Sequence, residues 1–353
     1  MSRYRDIVFT LVRWALGALF IFSGAVKCVD PIGTSIFVDK YLATYSMGWL
    51  MPISETLAVG LSVMEFTLGL LLISGVWRRL TSLITAIVLL LFSVLTLLSA
   101  TVLPIGDCGC FGDALKLSPW ATFLKNIVML PLAIALWRTS DRCRGVALRE
   151  FVILAVAISL PLAVNIYALK HLPLVDFLPY KVGTELREAI AEEQSATRQV
   201  LRFRRTTTGE VVEFDAMDTS CWADSDLEFV ESAMVTEQGV EFKYGDFHLY
   251  NIYGEDVTST ILNHAGRIAL LCVNDATNID ATTMQGIAKL YDAYPAEAIY
   301  LLSSEEVALQ ELSIQFAKLY IDAMTLRSII RADVGVVILS EGIVEFKSNI
   351  RDI

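Results

Sequence analysis

Two kinds of hydrophobic pattern divide this chain. In the first half, five long apolar runs, roughly Ile7–Val26, Thr56–Trp77, Leu80–Leu103, Pro119–Trp137 and Phe151–Leu169, are each long enough to cross about 30 Å of hydrocarbon as a helix. Trp77, Trp120 and Trp137 stand at run ends, where an amphipathic ring favours the headgroup region. Between the first two runs, Phe37, Tyr41 and Tyr45 recur every four residues, which predicts an interfacial helix over Thr34–Ser46, placed to lid the outer face of the bundle.

Beyond residue 170 the runs shorten and their period changes. His171–Gly183 contains prolines and predicts an extended linker, followed by an acidic helix over Thr184–Gln199. Val200–Thr206 and Glu210–Ala216 flank Thr208-Gly209 as a hairpin, and Leu227–Thr236 predicts a further strand. From Thr258 on, helix and strand patterns alternate: strands at Arg267–Val273 and Ala298–Ser303, helices at Ala281–Tyr294, Glu305–Ala317 and Thr325–Arg331, and a closing hairpin of Val334–Ser340 and Ile343–Lys347 about Glu341-Gly342.

Composition agrees with two solvents. The chain is 55% hydrophobic with a mean hydropathy of +0.56. Residues 1–170 hold 14 Lys and Arg against 9 Asp and Glu, whereas residues 171–353 hold 14 against 30. The acidic half argues against nucleic acid as a partner, because phosphate contacts need clustered basic side chains. Arg3, Arg5, Arg78, Arg79, Arg138, Arg142, Arg144 and Arg149 all fall on one side of the runs, while Lys27, Lys40 and Lys116 are the basic residues of the opposite loops. The positive-inside rule then places the N-terminus in the cytoplasm and the region after residue 170 outside, in the periplasm of a bacterial inner membrane. Lys27 sits where a signal peptidase needs a small residue, so the first run is expected to stay as a helix.

That topology sorts the six cysteines. Cys28, Cys108, Cys110, Cys221 and Cys272 fall on the oxidising side, and Cys143 on the cytoplasmic side. The string Asp107-Cys-Gly-Cys-Phe-Gly-Asp113 is the sharpest chemical feature. Two thiols one residue apart close only a small, strained ring, and strained exposed disulfides exchange readily. Cys108 and Cys110 are therefore candidate catalytic thiols, with Cys28 as a resolving thiol. A static bridge from Cys28 to either one is the structural alternative, and a three-thiolate Cu(I) site a third. The first 170 residues contain no His, which weighs against metal. Within the runs, Glu65 falls near mid-bilayer and Lys125 at a similar depth with Asn126 beside it. A Glu65–Lys125 pair is expected, either as a proton- or quinone-linked site or as a clasp between helices.

Phe22-Ser-Gly-Ala-Val-Lys-Cys-Val-Asp-Pro31, Glu65 followed by Gly69-Leu-Leu-Leu-Ile-Ser-Gly75, and Asp107–Asp113 with Trp120 and Lys125-Asn126 together resemble the DoxX/MauE family of four-helix membrane proteins over residues 5–140. The resemblance implies a redox-associated membrane protein with quinone-linked or disulfide-linked chemistry. The β-α-β-α-β-β order of residues 256–349 is similar to the thioredoxin-like fold. It departs from that fold at two places: Asn274–Ile279 stands where Cys-x-x-Cys is expected, and Asp333-Val334-Gly335 where the proline before the hairpin is expected. Cys272 lies inside a strand as a buried small hydrophobe, and Cys221, beside Trp222, is a candidate exchange partner in a loop.

The expected architecture is an all-α membrane bundle (residues 1–140), an Arg-rich loop with a fifth span (141–170), a linker with helix and hairpin (171–255), and a soluble α/β thioredoxin-like domain (256–353). The expected function is thiol/disulfide or quinone-linked electron transfer for a periplasmic protein client. A non-enzymatic scaffold with structural cysteines is the alternative. No nucleotide loop, zincin motif or hydrolytic triad is present in the sequence.

Overall fold

The computed structural model describes residues 2–102, 109–140, 148–236, 243–244, 246–275, 281–294, 298–304 and 316–353. The chain forms two compact units, Met1–Phe177 and Leu178–Ile353.

The first unit contains α1 (Ser2–Val29), α2 (Pro31–Thr44), α3 (Ser54–Ser74), α4 (Arg78–Thr101), α5 (Pro119–Thr139) and α6 (Leu148–Lys170). Among the described residues, α1, α3, α4, α5 and α6 are long and apolar enough to cross a membrane. The unit is thus a multi-pass membrane domain, and exposed side chains such as Leu11, Ile87, Leu91, Val128 and Val152 contact lipid rather than water. The hydroxyls of Thr85, Ser93, Thr96 and Ser99 on α4 donate to carbonyls one turn back, so these polar groups are satisfied within their own helix.

Small residues set how α1 meets α3. A Cβ at Gly24 would lie 2.4 Å from the backbone nitrogen of Phe66, one at Gly17 2.8 Å from the carbonyl of Gly69, and one at Gly69 2.6 Å from the nitrogen of Ile21. The two helices touch backbone to backbone, as apolar solvent requires when packing rather than water expulsion holds helices together. Leu16 and Phe20 of α1 pack with Leu68 and Leu72 of α3 and with Leu89, Ala133 and Leu136 of α4 and α5 in one core.

α2 begins earlier than the aromatic spacing predicts. Asp30 caps it by accepting from the Gly33 N–H at 2.7 Å, and Pro31 occupies its first position. It buries Pro31, Gly33, Thr34, Ser35, Ile36 and Leu42. Its aromatic stripe lines a cavity within the unit, a role the four-residue spacing alone did not separate from lipid contact.

The second unit has α7 (Leu186–Ala196), then β1 (Thr197–Arg205), β2 (Val211–Asp215) and β3 (Leu227–Thr236) as an antiparallel sheet of order β2-β1-β3. The rest is β4 (Tyr250–Asn251), α8 (Thr258–Leu262), β5 (Arg267–Val273), α9 (Ala281–Ala293), β6 (Ile299–Ser303), β7 (Ala317–Tyr320), α10 (Ala323–Ile329), β8 (Val334–Ser340) and β9 (Ile343–Asn349). These strands form a six-stranded sheet of order β4-β7-β6-β5-β8-β9. β5, β6 and β7 run parallel, and β8 and β9 close one side as an antiparallel hairpin. β5 is buried from Ile268 to Val273, so both sheet faces are covered and its apolar run is continuous rather than alternating.

Two expectations change here. The helix read over Glu305–Ala317 falls mostly on residues outside those described, and Ala317 begins β7 instead, as a parallel neighbour of β6. β4 joins the sheet at Tyr250, upstream of residue 256, because a two-residue edge strand leaves no readable alternation.

Replacing Gly24 with Ile would force α1 and α3 apart. Its expected cost is about 1–3 kcal/mol from overpacking, read as a lowered melting temperature in detergent micelles. Gly60→Leu on α3, where an added Cβ meets nothing within 4 Å, is expected to leave the melting temperature unchanged.

Candidate functional site

The last turns of α1 carry Ser23 and Lys27 one turn apart, and a helical side chain leans back over the preceding turn. The Lys27 ammonium therefore reaches Ser23, donating to its Oγ at 2.7 Å. It also meets Glu65 of α3, with Nζ 2.7 Å from Oε2. Lys27 is 3% exposed and Glu65 2%. A third donation goes to the backbone carbonyl of Cys110, which accepts from the Ser23 hydroxyl as well, at 2.7 Å. All three ammonium hydrogens are thereby placed on acceptors, the condition under which a charge this deep is tolerated. Lys27 is also in the last turn of α1, where the helix dipole favours a cation.

The pair thus anchors the loop that enters α5. Gly109 holds φ +61°, and a Cβ there would stand 2.6 Å from a ring carbon of Phe37. Only glycine fits that backbone against that ring. Phe111 is buried, with its ring 5.3 Å from that of Phe22.

Lys27, Glu65, Gly109 and Cys110 share the wall of a cavity of about 250 Å³ with residues of α2, α3 and α4. Phe37, Tyr41, Leu61 and Leu95 supply much of its apolar surface. An apolar chamber with one ion pair and one thiol-bearing residue in its wall has the composition of a small-molecule site.

The expected site residues separate into two groups. Glu65 and Cys110 come together, joined through Lys27. Lys125, the expected partner of Glu65, does not: its Nζ lies 4.5 Å above the centroid of the Phe111 ring as a cation–π contact. Similar depth in two spans says nothing about which helix faces point at each other, and α1, not α5, is the close neighbour of α3. Asn126 is buried on α5, and its amide nitrogen has no hydrogen-bond partner among the described residues. Cys28 is 2% exposed, and Ser62 of α3 and Asn165 of α6 lie beside it. Asn165 in turn bonds Ser62 at 3.1 Å and the Pro161 carbonyl at 2.8 Å. Cys108 and Cys143 lie outside the described residues.

In the second unit, Cys221 is buried beneath Leu201 and Phe203, and its thiol donates to the Asp218 carbonyl at 3.0 Å. The candidate exchange partner expected in a loop beside Trp222 is thus a buried thiol. A short 3-10 turn over Thr219–Trp222 turns it inward and leaves Trp222 61% exposed. Cys272 is wholly buried in β5, and burial pushes its thiol up to about 12.

Lys27 is the functional residue that the linear pattern assigned no role in the site. A signal for it was present: glycines seven apart on α1, with Gly69 on α3, mark the closest helix pair, and Lys27 and Glu65 lie near that seam.

Comparison with known proteins bears on this unit. The family model described as methylamine utilisation protein MauE matches residues 5–138, from α1 into α5. Protein TlpB of Flavobacterium psychrophilum is 28% identical over 140 residues, which is 37% of this chain and 38% of that relative. The match spans well under half the length of either protein. No solved structure matches the chain.

Removing one partner of the ion pair leaves the other charge buried. Lys27→Met is expected to destabilise the folded protein by about 3–5 kcal/mol, whereas Lys27→Met with Glu65→Leu recovers most of that loss. Lys125→Met is expected to cost no more than about 1 kcal/mol. Thermal unfolding in detergent checks all three. On the same protein, iodoacetamide at pH 8 is expected to leave Cys272 unmodified until the second unit unfolds.

Proposed function

We propose that this chain is a membrane thiol–disulfide carrier in which Cys108 and Cys110 exchange a disulfide with a protein client on the periplasmic face of a bacterial inner membrane. The observation that carries the reading is the hold on Cys110. Its backbone carbonyl is tied to a buried Lys27–Glu65 pair, and the same residue lies in the wall of a cavity.

The exchange balances simply. A client dithiol attacks the Cys108–Cys110 disulfide. Its S–S bond breaks, a client S–S bond forms, and both carrier sulfurs leave as thiols. The reverse reaction reduces a client. The match to the MauE family model over residues 5–138, the stretch that holds the Cys-Gly-Cys loop, supports this reading. The distribution of the eight arginines supports the periplasmic placement of the Cys-Gly-Cys loop and of the second unit.

In this reading the second unit docks the client. Three parallel strands flanked by an antiparallel hairpin support a thioredoxin-like fold for it. Its own described cysteines, Cys221 and Cys272, are both buried, which favours binding over thiol chemistry there. Those buried thiols also favour the second reading, a non-enzymatic assembly factor whose cysteines are structural.

Thiol trapping in intact cells with a membrane-impermeant alkylator separates the two. The carrier predicts that Cys108 and Cys110 are found as a mixture of thiol and disulfide that shifts with client load. A pair that stays fully oxidised under every load, with a double Cys→Ala variant that loses only stability, would falsify the carrier and leave the assembly factor.

A further inference from the structure

Positive charge and an apolar groove meet at the turn that joins α3 to α4. Gly75 closes α3 at φ +72°, with its N–H on the Leu71 carbonyl at 2.9 Å. A Cβ there would stand 2.1 Å from Nη1 of Arg13 on α1 and 3.2 Å from Nε of Arg78 on α4. Two guanidinium groups from different helices thus lie against one glycine, and the charge that bears on Arg13 is the like charge of Arg78. Arg13 Nε is buried and has no hydrogen-bond partner among the described residues. The Glu150 carboxylate of α6, close to the same turn, accepts from the Trp77 indole at 3.0 Å. No side chain caps the first turn of α4, so the positive end of that helix's dipole adds to the two arginines. Each of these features favours an anion, and a planar guanidinium fits phosphate oxygens two at a time.

Trp77, the residue before Arg78, stands in the wall of a groove of about 400 Å³ between α3, α4 and α6. The groove follows α3 from Leu71 to Gly60 and α4 as far as Ile84. Its side chains are apolar apart from Thr67 and Thr81, whose hydroxyls donate to the Ala157 and Val76 carbonyls. The helix between Leu71 and Gly60 rises about 17 Å, the depth of one leaflet's share of a hydrocarbon core about 30 Å thick. Leu80, Ile84 and Ile158 in the lining are exposed, so the groove meets the bilayer.

We propose that an anionic phospholipid binds here, its phosphodiester held by Arg13 and Arg78 at the α3–α4 turn and one acyl chain laid along the groove. Charge selects the headgroup. A zwitterionic lipid brings a cation of its own toward two guanidinium groups, whereas a phosphatidylglycerol headgroup brings net negative charge alone. The groove selects a lipid over a free phosphate ion, because an ion leaves the apolar walls uncovered. The site stands or falls apart from the carrier reading.

Native mass spectrometry of the full chain in detergent tests this, with palmitoyl-oleoyl phosphatidylglycerol titrated against palmitoyl-oleoyl phosphatidylcholine. Wild type is expected to prefer the phosphatidylglycerol by about tenfold or more. Arg13→Gln with Arg78→Gln is expected to weaken its binding about thirtyfold and to erase the preference. Arg78 is exposed, so Arg78→Gln alone leaves the helix packing intact; it is expected to weaken binding about fivefold. Ile84→Trp, which fills the groove, is expected to weaken both lipids. Saturating phosphatidylglycerol is expected to raise the melting temperature of wild type and to leave that of the double variant where it starts. A photoactivatable group in the acyl chain is expected to label Thr67, Leu80 or Ile158. Equal wild-type affinities for the two lipids overturn the site, as does an Arg78→Gln affinity within about twofold of wild type. Labelling confined to Leu124 and Val128 on α5 overturns it as well. Glycerophosphoglycerol, the headgroup without acyl chains, binding as tightly as the whole lipid would make this a site for free anions and overturn the lipid.

Discussion

The arrangement of the membrane unit depends on one buried ion pair, Lys27 with Glu65, and on the helix contact that makes it affordable. A lysine and a glutamate taken out of water each carry a penalty of several kcal/mol, which their attraction offsets only with good geometry and with every remaining hydrogen bond made. That geometry exists because Gly17, Gly24 and Gly69 let α1 and α3 approach at backbone distance. The remaining ammonium hydrogens are then taken by the Ser23 hydroxyl and the Cys110 carbonyl. Helix packing, electrostatics and the position of a cysteine loop are therefore one coupled problem.

Other parts of the unit follow from this constraint. With the loop tied to the end of α1, Gly109 lies flat against Phe37, which brings α2 over the same space. α2 is too short to span a bilayer and buries one side on α3, so its aromatic stripe turns toward the cavity and not toward lipid. Lys125 is left to settle on the face of Phe111, a contact that a cation at the edge of hydrocarbon makes more readily than a second carboxylate pair. The second unit obeys a different solvent. Its stability comes from burying the continuous apolar runs of β5, β6 and β8 on both sheet faces.

Much of this was legible along the chain. The five spans were readable because a helix in hydrocarbon must be apolar along its whole length, so composition alone marks it. Strands β3, β5 and β8 coincided with their expected limits because turn residues bracket each one. Glu65 stood out because a carboxylate in an apolar run is conspicuous. Less legible were β4 and β7, at two and four residues too short to show a period, and the inward turn of Cys221, which depends on a 3-10 turn beneath a sheet.

The sequence by itself determined which segments meet lipid, which meet water, and which residue types carry chemistry: one carboxylate in a span, two thiols about a glycine, and a basic residue near the end of the first helix. These are local properties, fixed by transfer free energy and backbone conformation residue by residue. Only the tertiary structure decided that Glu65 belongs to Lys27 and not to Lys125, that Ser62 and Asn165 lie beside Cys28 and the Cys110 carbonyl beside Lys27, and that α2 lines a cavity. Each of those depends on which helix faces come together, and that was set by three small glycines whose effect is visible only when the helices touch.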